Sequence, residues 1–415
     1  MIMKADAVII GGGVAGLWCA SELAGLGLTS VIVEKEPFAG GHVASYCCKA
    51  TDQCQRCGAC LLEDVLDNVA CSDRITTLLR TSVFRVERAN GLFKLDVSRR
   101  ASAIYPEKCN ECEECLNACP AAGALARAPR SNEIVIREDA CLFFRDGSCR
   151  VCADACPEGA VRLEAVTEDL ALEASAVVLA AGFKAFDPLE KPRFGYGRVP
   201  GVITGLELET MLRDDNFQPG KDADGIRSVA FIQCVGSRDA KIGRNYCSRV
   251  CCGYALRLAR LLRRRFPGIE PTMFYMDIQT FDRDFENRLA AARREVRLIR
   301  AIPAEIRTGT EGKPELIYQG PDEQRVAESY DLVVLSVGMS PDASVKSLAA
   351  MAGLEENQDG FFGLDRDEVA TQTPGVFVAG AVQGPRSIEE SVSHAIRTAG
   401  QVASYVKGLH RSESQ

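Results

Sequence analysis

Cysteine dominates the chemistry open to this chain: 19 of its 415 residues, against 3 histidines. Their spacing is patterned. Cys109, Cys112, Cys115 and Cys119 form a C-x2-C-x2-C-x3-C run closed by Pro120. Cys141, Cys149, Cys152 and Cys156 repeat it with a longer first gap, C-x7-C-x2-C-x3-C, closed by Pro157. Short loops of this kind wrap thiolates around one cube of iron and sulfide, and each proline stops the chain continuing as a helix. Where two such runs pair, the fourth cysteine of each ligates the other's cluster. Cys109, Cys112, Cys115 and Cys156 are therefore expected to hold one [4Fe–4S] cluster, and Cys141, Cys149, Cys152 and Cys119 a second. Two zinc knuckles would each be self-contained, which leaves the paired Cys-Pro endings unexplained.

Two further groups stand apart. Cys234, Cys247, Cys251 and Cys252 surround one expected strand-to-helix connection. They could hold a third cluster; Cys247 and Cys251, one helical turn apart, could instead form a redox disulfide, or the four could be buried thiols. Near the N-terminus, Cys54, Cys57 and Cys60 with Cys47 or Cys48 could complete a fourth cluster, with Cys71 further on. Cys19 falls inside a helical pattern and reads as an inert core thiol.

The elements that must position these groups begin at residue 6. DAVII (6–10) reads as a buried strand, followed by Gly11-Gly12-Gly13-Val14-Ala15-Gly16 and a helical pattern to Leu26. A second strand, Ser30 to Val33, ends in Glu34. This is a dinucleotide fingerprint: Gly11 for the tight turn, Gly13 for backbone approach to a pyrophosphate, Gly16 for helix–strand packing, Glu34 for a ribose. The helix N-terminus supplies free N–H donors to the phosphates. FAD is expected over NAD, because Gly40-Gly41-His42 follow at once and VVLAAGF (177–183) and LVVLSVGMSP (332–341) are buried strands. PGVFVAGAVQG (374–384) is similar to the C-terminal flavin motif of disulfide-reductase-like flavoproteins, with Ala381 in place of the usual aspartate. A helix from near Ser387 is expected to aim its N-terminus at the flavin ring.

The fold expected is α/β: a thioredoxin-reductase-like flavoprotein with two Rossmann units and an inserted two-cluster ferredoxin domain. Its parts are an FAD domain at 1–100 and 166–222, the insertion at 101–165, a second nucleotide-type fold at 223–340, and a C-terminal FAD portion at 341–415. In that second fold Ser228–Ile232 is a strand, but Gln233-Cys234-Val235-Gly236 follows where a glycine fingerprint is needed. Without one the backbone cannot close on a pyrophosphate. The formal charge of −8 argues against nucleic acid, and Arg263-Arg264-Arg265 reads as a solvated helix end. No transmembrane run or signal peptide is expected, which points to the cytoplasm.

EKEPFAGGH (34–42), QCVGSRD (233–239), YCSRVCC (246–252) and AGAVQGP (379–385) resemble the A-type subunit of heterodisulfide reductase over essentially the whole chain. The resemblance implies an FAD and iron–sulfur electron hub within a multi-subunit complex, assembled as a dimer. Its partners would be iron–sulfur, flavin or hydrogenase-like subunits and ferredoxin. It implies that Gly11, Gly13, Gly16, Glu34, Gly40, Gly41, Gly380 and Gln383 lie against FAD, and that Cys234, Cys247, Cys251 and Cys252 hold a cluster. Val14, Ala15, Lys35, His42, Val83, Ala181, Gly182, Arg257 and Ala381 complete the expected flavin site; Cys48, Cys54, Cys57 and Cys60 complete the expected metal ligands. Three or four clusters are expected. Arg257 stands where electron-bifurcating members carry lysine, and the two cations differ in geometry. The short form resembles the corresponding component of the quinone-interacting oxidoreductase of sulfate reducers and, more closely, that of benzoyl-CoA reductase complexes. No acid–base pair suited to an organic substrate is evident, so that chemistry would belong to a partner. The competing classes are a stand-alone NAD(P)H-dependent disulfide reductase using Cys247 and Cys251, and a zinc-stabilised scaffold.

Overall fold

The computed structural model describes residues 2–121, 123–129, 133–138, 140–164, 166–220, 225–279, 285–362 and 368–413. The expected boundary at 222/223, and residue 165 of that at 165/166, lie outside this set.

Among the described residues, the largest sheet has seven strands. Ile75–Leu78, Ser30–Val33, Ile2–Ile10 and Thr167–Leu179 run parallel in that order. Val376–Val378 lies parallel to the end of Thr167–Leu179, while Leu92–Arg100 runs antiparallel to its beginning and carries Thr81–Ala89 at the edge. The sequence pattern marks this long strand only at 177–183. Its opening residues are exposed or only partly covered, so they lack the continuous apolar run that identifies 177–179.

The helix Val14–Gly25 packs on one face of this sheet against the long helix Ile388–Glu413. Leu17, Ala20 and Leu23 meet Ala395, Ala399, Val402 and Val406 there, all fully buried. Cys19 lies in this layer, and burial pushes its thiol up to about 12, as an inert core thiol should behave. Gly16 is required by packing: a Cβ there would stand 1.9 Å from the Gly11 carbonyl oxygen.

The chain leaves the sheet at Arg100 and rejoins it at Thr167, residues that face each other in the ladder. Ala101 N–H donates to the Val166 carbonyl at 3.0 Å, so the intervening segment departs and returns at one point without disturbing the sheet. It has its own small core, in which Ile104, Leu125, Ile136 and Leu163 pack with Cys115, Cys141 and Cys152.

A second, wholly parallel sheet runs Val202–Thr204, Leu332–Val337, Ser228–Val235, Glu270–Phe274, Arg297–Ile299. Residues 202–213, expected to continue the first unit, belong here. Val202–Thr204 pairs with Leu332–Val337, and Leu208 and Leu212 of the helix Gly205–Arg213 bury fully against Val229 and Phe231. Thr204 caps that helix in a reciprocal box with Glu207, a local signal present in the sequence but not among the features read from it above. Among the described residues, no helix is long and apolar enough to cross a membrane.

Gly16→Ala is expected to destabilise the chain by about 1–3 kcal/mol through overpacking. Gly25→Ala, at a helical position with nothing within 4 Å of the added Cβ, should instead stabilise it by up to about 1 kcal/mol. Urea unfolding of both variants tests the pair.

Candidate functional site

The C-terminal ends of the first sheet's strands open onto a cleft of about 800 Å³. Gly11 makes the turn out of the first strand with φ of +111°, and a Cβ there would sit 2.4 Å from the Ala180 carbonyl oxygen. Gly40 N–H donates to the Gly12 carbonyl at 2.7 Å, joining the two glycine loops edge to edge. A Cβ on Gly13 would meet nothing within 4 Å: the backbone faces open cleft. This is a cradle for a ligand's phosphates, of the kind a dinucleotide requires.

Every residue expected at the flavin site lines this cleft except Gly16, Gly380 and Gln383. Gly16 sits behind the turn, as its packing role demands. Gly380 packs on Ala15, where a Cβ would come within 2.6 Å, and its N–H donates to His394 Nδ1 at 3.0 Å. The Gln383 amide donates to the Glu368 carbonyl at 2.7 Å and accepts from Arg386 at 2.8 Å, so it braces the wall from behind.

Glu34 lies at the foot of the cradle, accepting from Gly12 N–H at 2.6 Å and Glu36 N–H at 2.8 Å. Burial pushes its carboxyl above the ordinary value, against those two donors, which favour the charged form. Lys35 pairs with Asp342 at 3.0 Å. His42 stacks on Phe183 with ring centroids 4.4 Å apart, and burial lowers its pKa. The helix Ile388–Glu413 begins at the cleft, where Ser387 and Glu390 cap each other reciprocally. Glu389 and Glu390 in its first turn offset the positive end expected to face the ring.

Several lining residues carry no signal in the sequence patterns. Ile136, Arg137 and Glu138 come from the inserted segment, so the cleft is walled partly by it. Lys49 is 2% exposed and paired with the wholly buried Glu209. Its ammonium stands 5.0 Å from the Tyr46 ring centroid and 5.5 Å from that of Tyr254. Glu209 also accepts from Cys47 N–H at 3.0 Å. Lysine beside a double cysteine is the one local hint; its acidic partner, 160 residues on, gives none.

Arg257 lines the cleft but donates to the carbonyls of Gln55 at 3.0 Å and Arg56 at 3.2 Å. The exposed arginines 263–265 fit a solvated helix end, with Arg264 paired to Asp52 and Arg265 donating to the Leu212 carbonyl.

None of the 19 cysteines forms a disulfide. Among the described residues, no three His, Cys, Asp or Glu side chains converge as the ligands of a single metal ion would. A cubane asks for a different arrangement, one thiolate to each of four irons around a cluster. Cys109, Cys112, Cys115 and Cys156 line one small pocket together. Cys115 is raised by burial and by the nearby thiols of Cys156 and Cys109. Cys152 is pushed up to about 11 by burial and by Cys141, Cys119 and Cys149. The fourth cysteine of each run thus lies by the other run's thiols.

At the second sheet, Cys251 is raised by burial and by Cys252, Cys234 and Cys247. Cys251 and Cys252 open the helix Cys251–Arg265, an electropositive helix end that favours thiolates. The turn after Ser228–Val235 offers no cradle. Gly236 adopts φ of +81° and a Cβ there would sit 2.0 Å from the Phe186 ring. The Phe186 ring packs directly against this turn.

The solved T. acidophilum thioredoxin reductase superposes with a TM-score of 0.55 over 97% of this chain and 98% of that one, at 16% identity. Residues 5–399 match the family described as pyridine nucleotide-disulphide oxidoreductase, whose two-Rossmann flavoprotein class the fold defines. The chain is 34% identical over 427 residues to the A-type subunit of the H2:CoB-CoM heterodisulfide,ferredoxin reductase of Methanothermobacter marburgensis. It is 34% identical over 424 residues to the A-type iron-sulfur subunit of the CoB–CoM heterodisulfide reductase of Methanocaldococcus jannaschii. These matches cover 96% and 95% of this chain but 63% of each relative. The chain belongs to the pyridine nucleotide-disulphide oxidoreductase family, and it spans 63% of the length of these two A-type heterodisulfide reductase subunits.

Because the Glu34 carboxyl is raised in the folded state, the folded chain holds its proton more readily than the unfolded one. Its stabilisation is present at low pH and is lost as pH rises from the ordinary glutamate range through the raised value. Glu34→Gln should flatten that decline in urea unfolding of the FAD-free chain measured against pH; an unchanged slope would contradict the assignment.

Proposed function

We propose that this chain is an electron-transfer subunit holding FAD in the cleft and [4Fe–4S] clusters on the two paired cysteine runs and on Cys234, Cys247, Cys251 and Cys252. The observation that carries the reading is the cleft itself: a glycine cradle, a buried acid at its foot and a capped helix end meet in one space of about 800 Å³. That volume is ample for a dinucleotide-sized ligand. Bound there, FAD exchanges electrons in pairs, and the clusters exchange them one at a time.

The chain's own residues then have distinct tasks. Gly11 and Gly13 bring backbone close to the pyrophosphate, and Glu34 faces the ribose. Ala181, Gly182 and Val83 form apolar wall. Cys119 and Cys156 cross between the runs, which supports a paired two-cluster ferredoxin insertion. The sulfur of Cys247 accepts from Arg249 N–H at 3.2 Å, a contact of the kind that tunes a cluster's potential.

The relatives' names give the partners we infer: other redox subunits of a multi-subunit oxidoreductase, with ferredoxin as a one-electron carrier. The substrate-converting site, whether on a disulfide or a benzoyl-CoA-type thioester, would lie on such a partner. Arg257 lends its guanidinium to the carbonyls of the cysteine loop. The filled turn at Gly236 counts against a stand-alone NAD(P)H-dependent disulfide reductase.

Two measurements check this. In anaerobic stopped-flow, reduced ferredoxin should reduce the bound flavin quickly, and NADH or NADPH alone only sluggishly; fast, saturable reduction by either nicotinamide would restore the reductase. Separately, Cys156→Ala should alter the spectroscopic signature of the cluster held by Cys109, Cys112 and Cys115. An effect confined to the Cys149 and Cys152 cluster would break the crossed wiring.

A further inference from the structure

We propose that Cys48, Cys54, Cys57 and Cys60 hold an additional [4Fe–4S] cluster at the mouth of the cleft, on a loop clamped by arginines of the helix that opens with Cys251 and Cys252. The inference rests on the reading above that the chain carries FAD and clusters.

The first support is backbone conformation. In Cys109-x2-Cys112-x2-Cys115, left-handed φ values fall on the second residue after the first cysteine, Glu111 at +60°, and the first after the second, Glu113 at +65°. Cys54-x2-Cys57-x2-Cys60 has the same two positions left-handed, Arg56 at +49° and Gly58 at +74°. Three of these four are not glycine, and each such residue costs about 1–2 kcal/mol. The third cysteine of each run stands at a helix start: Cys60 caps Leu61–Cys71, and Cys115 lies in the first turn of Glu114–Ala118. Two loops of unrelated position thus share one costly conformation.

The second support is the company of the thiols. Cys54 Sγ accepts from Arg56 N–H at 3.4 Å, the same contact that Cys247 Sγ makes with Arg249 N–H. The structure also separates the two adjacent candidates. Cys47 is buried among Leu208, Leu212 and Cys252 with its N–H on Glu209, whereas Cys48 is exposed beside the run.

The third support is charge. Arg257, Arg260 and Arg264 recur on one face of the helix Cys251–Arg265. Arg257 binds the carbonyls of Gln55 and Arg56, Arg260 binds Gln55 Oε1 at 2.8 Å, and Arg264 pairs with Asp52. A cubane with four thiolates is anionic, and this comb both holds the loop and offsets that charge. Cys57 lines the cleft itself.

The test is iron, sulfide, zinc and FAD content of the anaerobically purified full chain, beside Cys54→Ser/Cys60→Ser. With four irons to each cubane, the unmodified chain should carry FAD and about sixteen irons, and the double variant about twelve with FAD retained and the other clusters' spectra unchanged. About twelve irons in the unmodified chain, or zinc in the place of the remaining four, would overturn this site and leave the function above standing. A chain without FAD, or with no iron, would overturn that function instead. Should the double variant fail to fold, the content of the unmodified chain and of Cys48→Ser decides: loss of about four irons from Cys48→Ser supports the site, and no loss overturns it.

Discussion

The buried ion pair of Lys49 and Glu209 is the constraint from which the cleft follows. Neither charge reaches water, so each depends on the other, and removal of one partner from such a pair costs about 3–5 kcal/mol. Glu209 sits on the helix Gly205–Arg213 of the second sheet, while Lys49 sits in the loop that leaves the first sheet's glycine cradle. The pair therefore bolts the cysteine-bearing loop of the first unit onto the second. Tyr46 and Tyr254 flank the ammonium and exclude water from it. Loop 45–60 cannot swing away without leaving a bare charge in an apolar core.

That bolt decides what surrounds the cleft. Its floor is the parallel part of the first sheet, and the Lys49 loop forms one wall. The inserted segment contributes another through Ile136, Arg137 and Glu138, and it can do so because both of its ends leave the sheet at one rung, Arg100 opposite Thr167. Closure cost grows only slowly with loop length, so a long cysteine-rich unit can sit between two antiparallel neighbours at little extra entropic cost.

The second unit keeps the parallel sheet of a nucleotide-binding fold and discards its binding turn. Phe186 fills the space above Gly236, and four thiols occupy the strand-to-helix connection where glycines would be needed. The same helix N-terminus that in a nucleotide fold meets phosphate here meets Cys251 and Cys252. As the cluster ligands proposed above, these thiolates would be anionic groups held against a positive helix end, as phosphate is, so the exchange would keep the electrostatics and change the chemistry.

What the sequence by itself determined is whatever depends on neighbours in the chain. The glycine turn, the strand before it and Glu34 after it are legible because tight turns and buried strands impose residue types at fixed local spacing. The cysteine runs are legible for the same reason, as is the absence of a second fingerprint. Tertiary structure alone decided the rest. It assigned residues 202–213 to the second sheet, because the apolar face of a short helix goes wherever a matching core lies. It buried Cys47 and left Cys48 exposed, turned Gln383 away from the cleft, and drew Arg257 onto the carbonyls of Gln55 and Arg56. Lys49 and Glu209 could not be paired from the sequence at all. An ion pair across 160 residues has no local spacing to betray it, since its energy comes from a burial that exists only once both sheets have formed.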